Sequence, residues 1–252
     1  MRIYNYLETQ IEKFGAAYLV LIDPDNLPVS KLHEFLSKCE EAEVDGLLVG
    51  GSLLIQEELS TYINSIKENS KLPTIIFPGS INQITPNADA LLYISLISGR
   101  NPEHLIGKHV IAAPLIKKFN LETISTGYML IESGVQTTAQ YISGSSPIPS
   151  NKPGIAVATA LAGQYMGMKL IYLEAGSGAQ NHVPFEMVKA VSSMIDIPVI
   201  VGGGIRDSQT AAKLVASGAK IIVTGNHFEN QDHWEYLKLF ADAVHVKKSI
   251  LI

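Results

Sequence analysis

Eight short apolar runs, separated by helical patterns, restrict the fold of this 252-residue chain more than any other feature. Each run is continuous rather than alternating, which is typical of parallel strands covered on both faces. Eight strand–helix units in a chain of this length predict one closed (β/α)8 barrel of the TIM type over residues 1–252, and an open doubly wound sheet is the alternative. The runs are AYLVLIDPD, DGLLVGG, PTIIFPG, ALLYISLISG, GYMLIESG, KLIYLEAG, PVIVGGG and KIIVTGN.

Four segments between the runs have the apolar spacing of amphipathic helices: VSKLHEFLSKCEEAEV, IQEELSTYINSIKEN, FEMVKAVSSMI and SQTAAKLVASGA. The third connection, FPGSINQITPNADALLY, is rich in Pro, Asn and Gly and lacks a clear apolar face. We therefore expect the third helix to be reduced or missing. A second irregular stretch, YISGSSPIPSNKPGI, follows the fifth run, and we expect a mobile loop there on the face that carries the site.

Composition and charge exclude several classes of function. The formal net charge is −5 and no run of Lys or Arg forms a basic footprint, so nucleic acid is not an expected partner. The apolar runs are far shorter than the roughly 20 residues that span a bilayer, and the N-terminus lacks a signal-peptide pattern, so we expect a cytoplasmic protein. The lone cysteine, Cys39, repeats at helical spacing with Leu32, Phe35 and Leu36 and is expected in the core.

The last two runs end in glycine-rich turns, VGGGIRDSQ and VTGNHFE. Backbone N–H groups at the ends of the seventh and eighth strands of a barrel form a frequent phosphate site, and glycine lets the anion approach closely. Gly203, Gly204, Gly225 and Asn226 are therefore predicted to bind phosphate. The alternative is that the glycines only allow the positive φ that tight turns need.

The sixth run, LIYLEAGSGA, contains a single carboxylate, Glu174. A carboxylate among apolar neighbours is unfavourable unless it is paired or functional. Gly176, Ser177 and Gly178 follow it, and such a turn can surround an anion. Tyr172 lies two residues earlier and points to the same side of the strand, so it is expected near a substrate. A salt bridge from Glu174 to Lys or Arg is the alternative to a catalytic role.

The first two runs end in a carboxylate and a hydroxyl, Asp23 and Ser52, which we expect to be neighbours on the rim of the barrel. Such oxygen ligands suit Mg²⁺, which takes few protein ligands and leaves positions for water and substrate phosphate. A turn or helix-capping role for the acidic residues is the alternative. His109, His182 and His227 have no zinc-site spacing and are expected to be ordinary. A metal-bound phosphate and a phosphorylated small molecule are thus implied.

Taken together, the motifs resemble the geranylgeranylglyceryl phosphate synthase family of prenyltransferases over nearly the whole chain. GGGIR is common among phosphate-binding barrels, whereas YLEAGSG combined with SGRNP and FPGS is specific to that family. The longer form, with SGRNP and AAPLI, is similar to the second of the family's two sequence groups, found in archaea and some bacteria. The strings that carry the resemblance are LIDPD, VGGS, FPGS, SLISGRNP, TGYMLIESG, YLEAGSGA, VGGGIR and GN.

The resemblance implies transfer of a prenyl group from a diphosphate to the 3-hydroxyl of sn-glycerol 1-phosphate, with release of pyrophosphate. It implies that Asp23 and Ser52 bind Mg²⁺ and that Glu174 is the general base. The glycerol phosphate site would comprise Tyr172, Leu173, Glu174, Ala175, Gly176, Ser177, Gly178, Gly203, Gly204, Gly225 and Asn226. A family barrel also lacks a regular third helix, as the third connection here indicates.

Chain length and assembly are open at this point. A C20 geranylgeranyl donor is implied by the family, with another length, such as heptaprenyl, as the alternative. Its tail would need an apolar groove along the irregular region and the fourth strand. Family members usually form homo-oligomers, for which Tyr141 is a candidate contact, and transient membrane contact would suit a lipid product.

Without DDxxD motifs, a three-Mg²⁺ prenyl synthase mechanism is excluded, whereas a sugar-phosphate isomerase type of barrel and a noncatalytic phosphate-binding barrel are the remaining alternatives.

Overall fold

The eight apolar runs form a closed parallel barrel in which each strand pairs with the next and the last pairs with the first. This computed structural model describes residues 2–55 and 58–246. The barrel prediction is confirmed, and the open-sheet alternative is wrong. The strands are β1 (Ala17–Ile22), β2 (Gly46–Val49), β3 (Thr74–Ile76), β4 (Ala90–Leu96), β5 (Glu122–Leu130), β6 (Leu170–Glu174), β7 (Val199–Gly202) and β8 (Ile221–Thr224).

The helices form an outer layer, and each of the four predicted segments contains one. Three predicted helices extend past the observed C-termini: α2 ends at Glu41, α7 at Ser192 and α8 at Ala216. Residues 56 and 57 of the other predicted segment lie outside the described residues. The helices are α1 (Ile3–Phe14), α2 (Val29–Glu41), α3 (Leu59–Asn69), α4 (Lys108–Phe119), α5 (Thr138–Ser143), α6 (Pro153–Tyr165), α7 (Phe185–Ser192), α8 (Ser208–Ala216) and α9 (Leu237–Val244).

The strands read as continuous apolar runs because both of their faces are buried. Alternate residues point to opposite faces of a strand, so Leu19 faces the barrel interior with Ile200, whereas Tyr18 and Val20 face the surrounding helices. Helix α1 closes the N-terminal end of the barrel. There the Glu122 carboxylate accepts hydrogen bonds from the first N–H groups of the helix, at 2.7 and 3.1 Å.

The third connection contains no α-helix among its described residues, as the sequence predicts. Only a short 3₁₀ turn, Ile81–Gln83, lies between β3 and β4. Gln83 is buried and fastens this connection to the end of β2, because its amide donates to the Gly51 carbonyl at 2.8 Å and accepts from Gly79 N–H at 3.0 Å. The missing helix leaves Tyr93 and Ser95, on the outer face of β4, only half-buried. The gap it leaves on the outside of the barrel is a groove.

The second irregular stretch is built differently from a plain loop. Its first residues complete α5, and its last residues begin α6. Between them, Ile148 pairs with Ile131 as a short continuation of β5. The mobility of this stretch stays a prediction. Elsewhere, Cys39 is buried as predicted, and burial raises the pKa of its thiol. Over residues 2–55 and 58–246, no helix is both long and apolar enough to cross a membrane.

Candidate active site

The C-terminal ends of the strands surround a polar cavity of about 550 Å³, a size typical of small-molecule sites. Nearly all the predicted site residues line it. Leu173 and Ala175 differ, because Leu173 points into the layer between barrel and helices and both residues pack in that core cluster. Leu173 and Ala175 could therefore contact a ligand in this cavity only through their backbone atoms. The predicted residues that line the cavity are Asp23, Ser52, Tyr172, Glu174, Gly176, Ser177, Gly178, Gly203, Gly204, Gly225 and Asn226.

Glu174 is the last residue of β6 and lies in the centre of this cavity wall, with 5% of its surface exposed. One carboxylate oxygen accepts the Gly176 N–H at 2.6 Å. Among the described residues, no Lys or Arg lies within ion-pair distance of it, so the salt-bridge alternative is wrong. Burial raises the pKa of Glu174 to about 7, although the Gly176 N–H and the Tyr172 hydroxyl act in the opposite direction. The carboxyl group therefore exchanges a proton near neutral pH.

Two tyrosines and a phenylalanine form an aromatic cluster beside Glu174. The Tyr172 ring stacks on Phe77, with centroids 5.5 Å apart, and meets the Tyr128 ring edge-on at 5.4 Å. The Tyr172 hydroxyl is buried without a hydrogen bond of ordinary geometry among the described residues. Burial, and then the Glu174 charge, hold the pKa of both phenols well above the usual range. Both phenols thus stay protonated, which leaves Glu174 as the base of this cluster.

Glycines at the ends of β6 and β7 create the space beside the carboxylate. Gly176, Gly203 and Gly204 have φ values of +105°, +82° and +68°, which side chains rarely adopt. A Cβ on Gly203 would overlap a Glu174 oxygen, and one on Gly204 would lie 2.6 Å from the Asn181 carbonyl oxygen. The turn interpretation of these glycines therefore holds, and it is compatible with phosphate binding because the same turns line the cavity.

The Gly176–Gly178 turn is held on both sides by side chains. On one side, the Asn226 amide oxygen accepts from the Ser177 hydroxyl at 2.8 Å and from the Gly178 N–H at 3.2 Å. On the other side, Arg206 donates to the carbonyls of Ala179 and Gln180, at 2.7 and 3.2 Å. Sequence reasoning missed Arg206, although its place directly after GGGI, beside a predicted phosphate turn, was a usable signal.

Asp23 and Ser52 both line the cavity, where they follow the neighbouring strands β1 and β2. Asp23 accepts the Asp25 N–H at 3.1 Å through one oxygen. Its other oxygen faces Gly51, since a Cβ built there would lie 2.9 Å away. Burial raises the pKa of Asp23, and the Asp25 N–H opposes this. Asp25 itself accepts the Ile55 N–H at 2.8 Å, so its carboxylate orders the loop after β2.

The donor set at Asp23 fits a metal ion that needs few protein ligands. Across the described part of the chain, no group of three or more His, Cys, Asp or Glu side chains could hold a metal ion. A closed zinc site of such side chains is therefore not formed among those residues. One carboxylate and one hydroxyl, open to a cavity large enough for a phosphorylated ligand, match the coordination habits of Mg²⁺.

An apolar groove leaves the polar cavity through the gap in the third connection. Ser52, Phe77 and Tyr128 belong to both spaces and mark their junction. Sequence reasoning expected a groove along the fourth strand but could not name its walls. The walls include Ile81, Ile84, Leu91, Tyr93, His109, Ala112 and Ile142.

The three histidines named in the sequence analysis, His109, His182 and His227, have different surroundings and different hydrogen-bond or ring partners. His109 bonds Ser95 in the groove wall at 3.1 Å, and His182 bonds the Val183 carbonyl at 2.7 Å. His227 lines the polar cavity and stacks on His233, with centroids 4.3 Å apart. Burial, followed by His233 and Arg206, lowers the pKa of His227. Its place on the cavity wall was not expected from the sequence.

The fold and the cavity together define a class of protein, the (β/α)8 barrels whose glycine-rich turns after β7 and β8 occupy the position where such barrels bind phosphate. Within that class, the chain belongs to the PcrB family, which matches residues 9–244.

Relatives of known name agree with this assignment. The geranylgeranylglyceryl phosphate synthase of Chitinophaga pinensis is 45% identical over 250 residues, 99% of this chain and 98% of that protein. The synthase of the same name from Pyrococcus horikoshii is 43% identical over 244 residues, 96% of this chain and 95% of that protein. The crystal structure of (S)-3-O-geranylgeranylglyceryl phosphate synthase from Thermoplasma acidophilum, in complex with sn-glycerol-1-phosphate, has a TM-score of 0.89 and 34% identity, covering 97% and 99% of the two chains. The resemblance carried by the motifs is confirmed.

Proposed function

We propose that this chain is a prenyltransferase that joins a prenyl group, geranylgeranyl from its diphosphate, to the 3-hydroxyl of sn-glycerol 1-phosphate. The product is an ether lipid precursor, and pyrophosphate leaves. The observation that carries the proposal is the position of Glu174. Its buried carboxylate has no cationic partner among the described residues. It lies beside Gly203 and next to Tyr172, whose ring packs on Phe77 and Tyr128 at the junction of cavity and groove.

The glycine turns are the binding site of the acceptor phosphate. The turns after β6, β7 and β8 all open into the cavity, and the positive φ values of the glycines after β6 and β7 turn the backbone so that no side chain fills the space. Backbone N–H groups bind phosphate oxygens without requiring a lysine. Arg206, the one Lys or Arg among the described residues that line the cavity, adds a positive charge at its edge.

Glu174 acts on the acceptor hydroxyl. With a pKa near 7, about half of the carboxyl groups are ionised at neutral pH, and the ionised form accepts the proton of the 3-hydroxyl. The bond between C1 of the prenyl group and its diphosphate oxygen breaks, and the electron pair leaves with pyrophosphate. The acceptor oxygen forms the new C–O bond while its proton passes to a Glu174 oxygen.

The donor diphosphate lies at Asp23 and Ser52, and its tail follows the groove. Mg²⁺ held by those two residues would neutralise charge on the diphosphate and improve it as a leaving group. Phe77 and Tyr128 stand at the junction, where C1 of the donor must lie, and their ring faces favour the positive charge that develops there. The apolar walls bind the remainder of the tail by excluding it from water.

We place the enzyme in the cytoplasm and as a homo-oligomer, with transient membrane contact when the lipid product leaves. Support for oligomers comes from the neighbouring apolar side chains Val135, Tyr141 and Ile142, which are 45%, 73% and 45% exposed. Light scattering at micromolar concentration tests this, and a monomeric mass would contradict it.

The activity is tested by incubating the chain with Mg²⁺, sn-glycerol 1-phosphate and radiolabelled prenyl diphosphates of several lengths. We expect a labelled ether product and pyrophosphate, with C20 the best donor and the 3-phosphate enantiomer of glycerol a poor acceptor. A better heptaprenyl donor would change the chain length but keep the reaction. No product with any donor, although the acceptor binds, would refute transfer and favour a noncatalytic barrel.

A further inference from the structure

The polar cavity contains one carboxylate more than the proposed reaction explains. Among the described residues that line it are four acidic side chains, Asp23, Asp25, Glu174 and Glu229, against a single guanidinium, Arg206. Asp23 and Glu174 have roles in the proposed reaction, and Asp25 accepts the Ile55 N–H. A further negative charge at the entrance for two anionic substrates is unfavourable unless that residue has another task.

Glu229 is bonded to a residue of the phosphate site. One of its carboxylate oxygens accepts the side-chain N–H of Asn226 at 2.7 Å. The oxygen of the same Asn226 amide accepts from Ser177 and Gly178, at 2.8 and 3.2 Å. An amide has one acceptor end and one donor end. With the carboxylate at the donor end, the amide oxygen is fixed toward the glycine turn.

The same Glu229 oxygen also accepts the side-chain N–H of Asn26 at 3.1 Å. Asn26 belongs to the turn after β1, where its backbone N–H donates to the Asp23 carbonyl at 3.0 Å. The hydrogen bonds thus run from the turn that carries Asp23, through Glu229 and Asn226, to the turn that follows Glu174. Three loops that approach the cavity from different strands are tied together at one carboxylate.

We propose that Glu229 is a positioning residue for the acceptor phosphate. Its carboxylate orients the Asn226 amide, and that amide holds the Ser177 hydroxyl and the Gly178 backbone in the arrangement that receives the phosphate. Glu229 itself does not touch the reacting atoms. This inference rests on the proposed function, because it takes the Gly176–Gly178 turn as part of the acceptor site.

The variants separate positioning from a simple effect of charge. Glu229→Ala removes the acceptor oxygen, whereas Glu229→Gln removes the charge but keeps an oxygen that can accept from Asn226 and Asn26. Glu235→Ala is the matched control, since Glu235 lies outside the cavity and pairs with Lys38 at 3.1 Å. Glu229 and Glu235 are both on the surface, so all three variants should fold, and thermal unfolding checks that each has a single cooperative transition like that of the wild type.

The measurements are calorimetric binding of sn-glycerol 1-phosphate and steady-state kinetics with both substrates varied. In Glu229→Ala we expect the Kd and KM of the acceptor to rise about 3- to 10-fold, the usual effect of losing one or two hydrogen bonds, with kcat and the KM of the prenyl diphosphate unchanged. Glu229→Gln should restore acceptor affinity to near the wild-type value, and Glu235→Ala should not change it.

Three results would overturn the inference. The first is unchanged acceptor affinity in a folded Glu229→Ala variant of an active enzyme, which refutes the positioning role alone. The second is a Glu229→Gln variant as impaired as Glu229→Ala with weakened Mg²⁺ affinity, which assigns the effect to charge near Asp23. The third is a wild-type protein that neither binds the acceptor nor forms product, which refutes the proposed function and this role with it.

Discussion

At the scale of single residues, the site is organised around one buried carboxylate whose protonation its surroundings have shifted. Glu174 has no cationic partner among the described residues, and burial raises its pKa to about 7. A base with a pKa near the working pH is both sufficiently ionised and sufficiently basic. The two tyrosines nearby have pKa values shifted upward by burial and by this carboxylate, so they do not compete for the proton.

The first prediction concerns the chemistry of Glu174. Glu174→Gln keeps the size of the side chain but removes its basicity, so kcat should fall by about 10²- to 10⁴-fold. In the wild type, the ionised base is the active form. The kcat/KM for the acceptor should therefore rise with pH through a pKa near 7 and level off above it. Steady-state turnover from pH 5.5 to pH 8.5 checks both effects, in steps of about half a pH unit.

Calorimetric binding of each substrate is the control for this variant. Near-wild-type turnover in Glu174→Gln would reject the role of base, whereas lost acceptor binding with normal turnover would make Glu174 a residue that binds the acceptor.

The second prediction concerns Asp23. Asp23→Asn keeps an oxygen for the Asp25 N–H but removes the negative charge that would hold Mg²⁺. The Mg²⁺ concentration needed for half-maximal activity should rise by about 10-fold or more, with a matching loss of Mg²⁺ binding measured in the presence of the diphosphate. Asp25→Asn makes the same charge change on the same loop and should have the smaller effect, because Asp25 orders the loop instead. Equal effects of the two changes would contradict the assignment.

At the scale of elements, the strands were predictable and several connections were not. Each strand has its own continuous apolar run between turn residues, a signal contained in three to nine neighbouring residues. The shortened third connection was also predictable, because a segment without an apolar face has nothing to bury as a helix. The predicted C-terminal ends of α2, α7 and α8 lie beyond the observed ones. The reason is that Val44, Ile195 and Ala219 are apolar and buried, as helix residues would be, although they lie beyond the helices.

Site residues on loops were harder to predict than those that follow strands. Glu174 and Asp23 stand immediately at strand ends and Ser52 three residues beyond one, so their order along the chain gives their place on the rim. Arg206 contacts carbonyls 26 and 27 residues away in the sequence, and Glu229 contacts Asn26, 203 residues away. No local pattern contains such contacts, because they depend on how neighbouring loops meet.

The third prediction follows from the gap that the third connection leaves. Ala112 of α4 lies in the groove wall, so Ala112→Leu places three more carbons inside the groove. Turnover should fall more with long prenyl diphosphates than with short ones, because the far part of a long tail loses its space. Val110→Leu, on the exposed side of the same helix, is the control and should leave donor preference unchanged. Equal losses for all donor lengths would place the tail elsewhere.

At the scale of the whole molecule, the buried carboxylate that serves the reaction opposes folding at neutral pH. The folded state binds a proton at Glu174 up to a pH of about 7, whereas the unfolded chain releases it near its ordinary pKa of 4.5. Between these values the folded state holds more protons than the unfolded state. The contribution of this residue to the free energy of unfolding therefore falls as the pH rises through that window.

The fourth prediction is that Glu174→Gln stabilises the protein at neutral and alkaline pH. Glutamine does not ionise, so the variant avoids the charging of a buried group, a difference on the order of 3 kcal/mol above pH 7. The gain should shrink toward zero as the pH falls to about 4.5, where the wild-type carboxyl is protonated in the folded state. Urea denaturation of both proteins at several pH values measures this. A variant less stable than the wild type at pH 8 would mean that the ionised carboxylate is stabilised by its surroundings, and it would then be too weak a base for the proposed reaction.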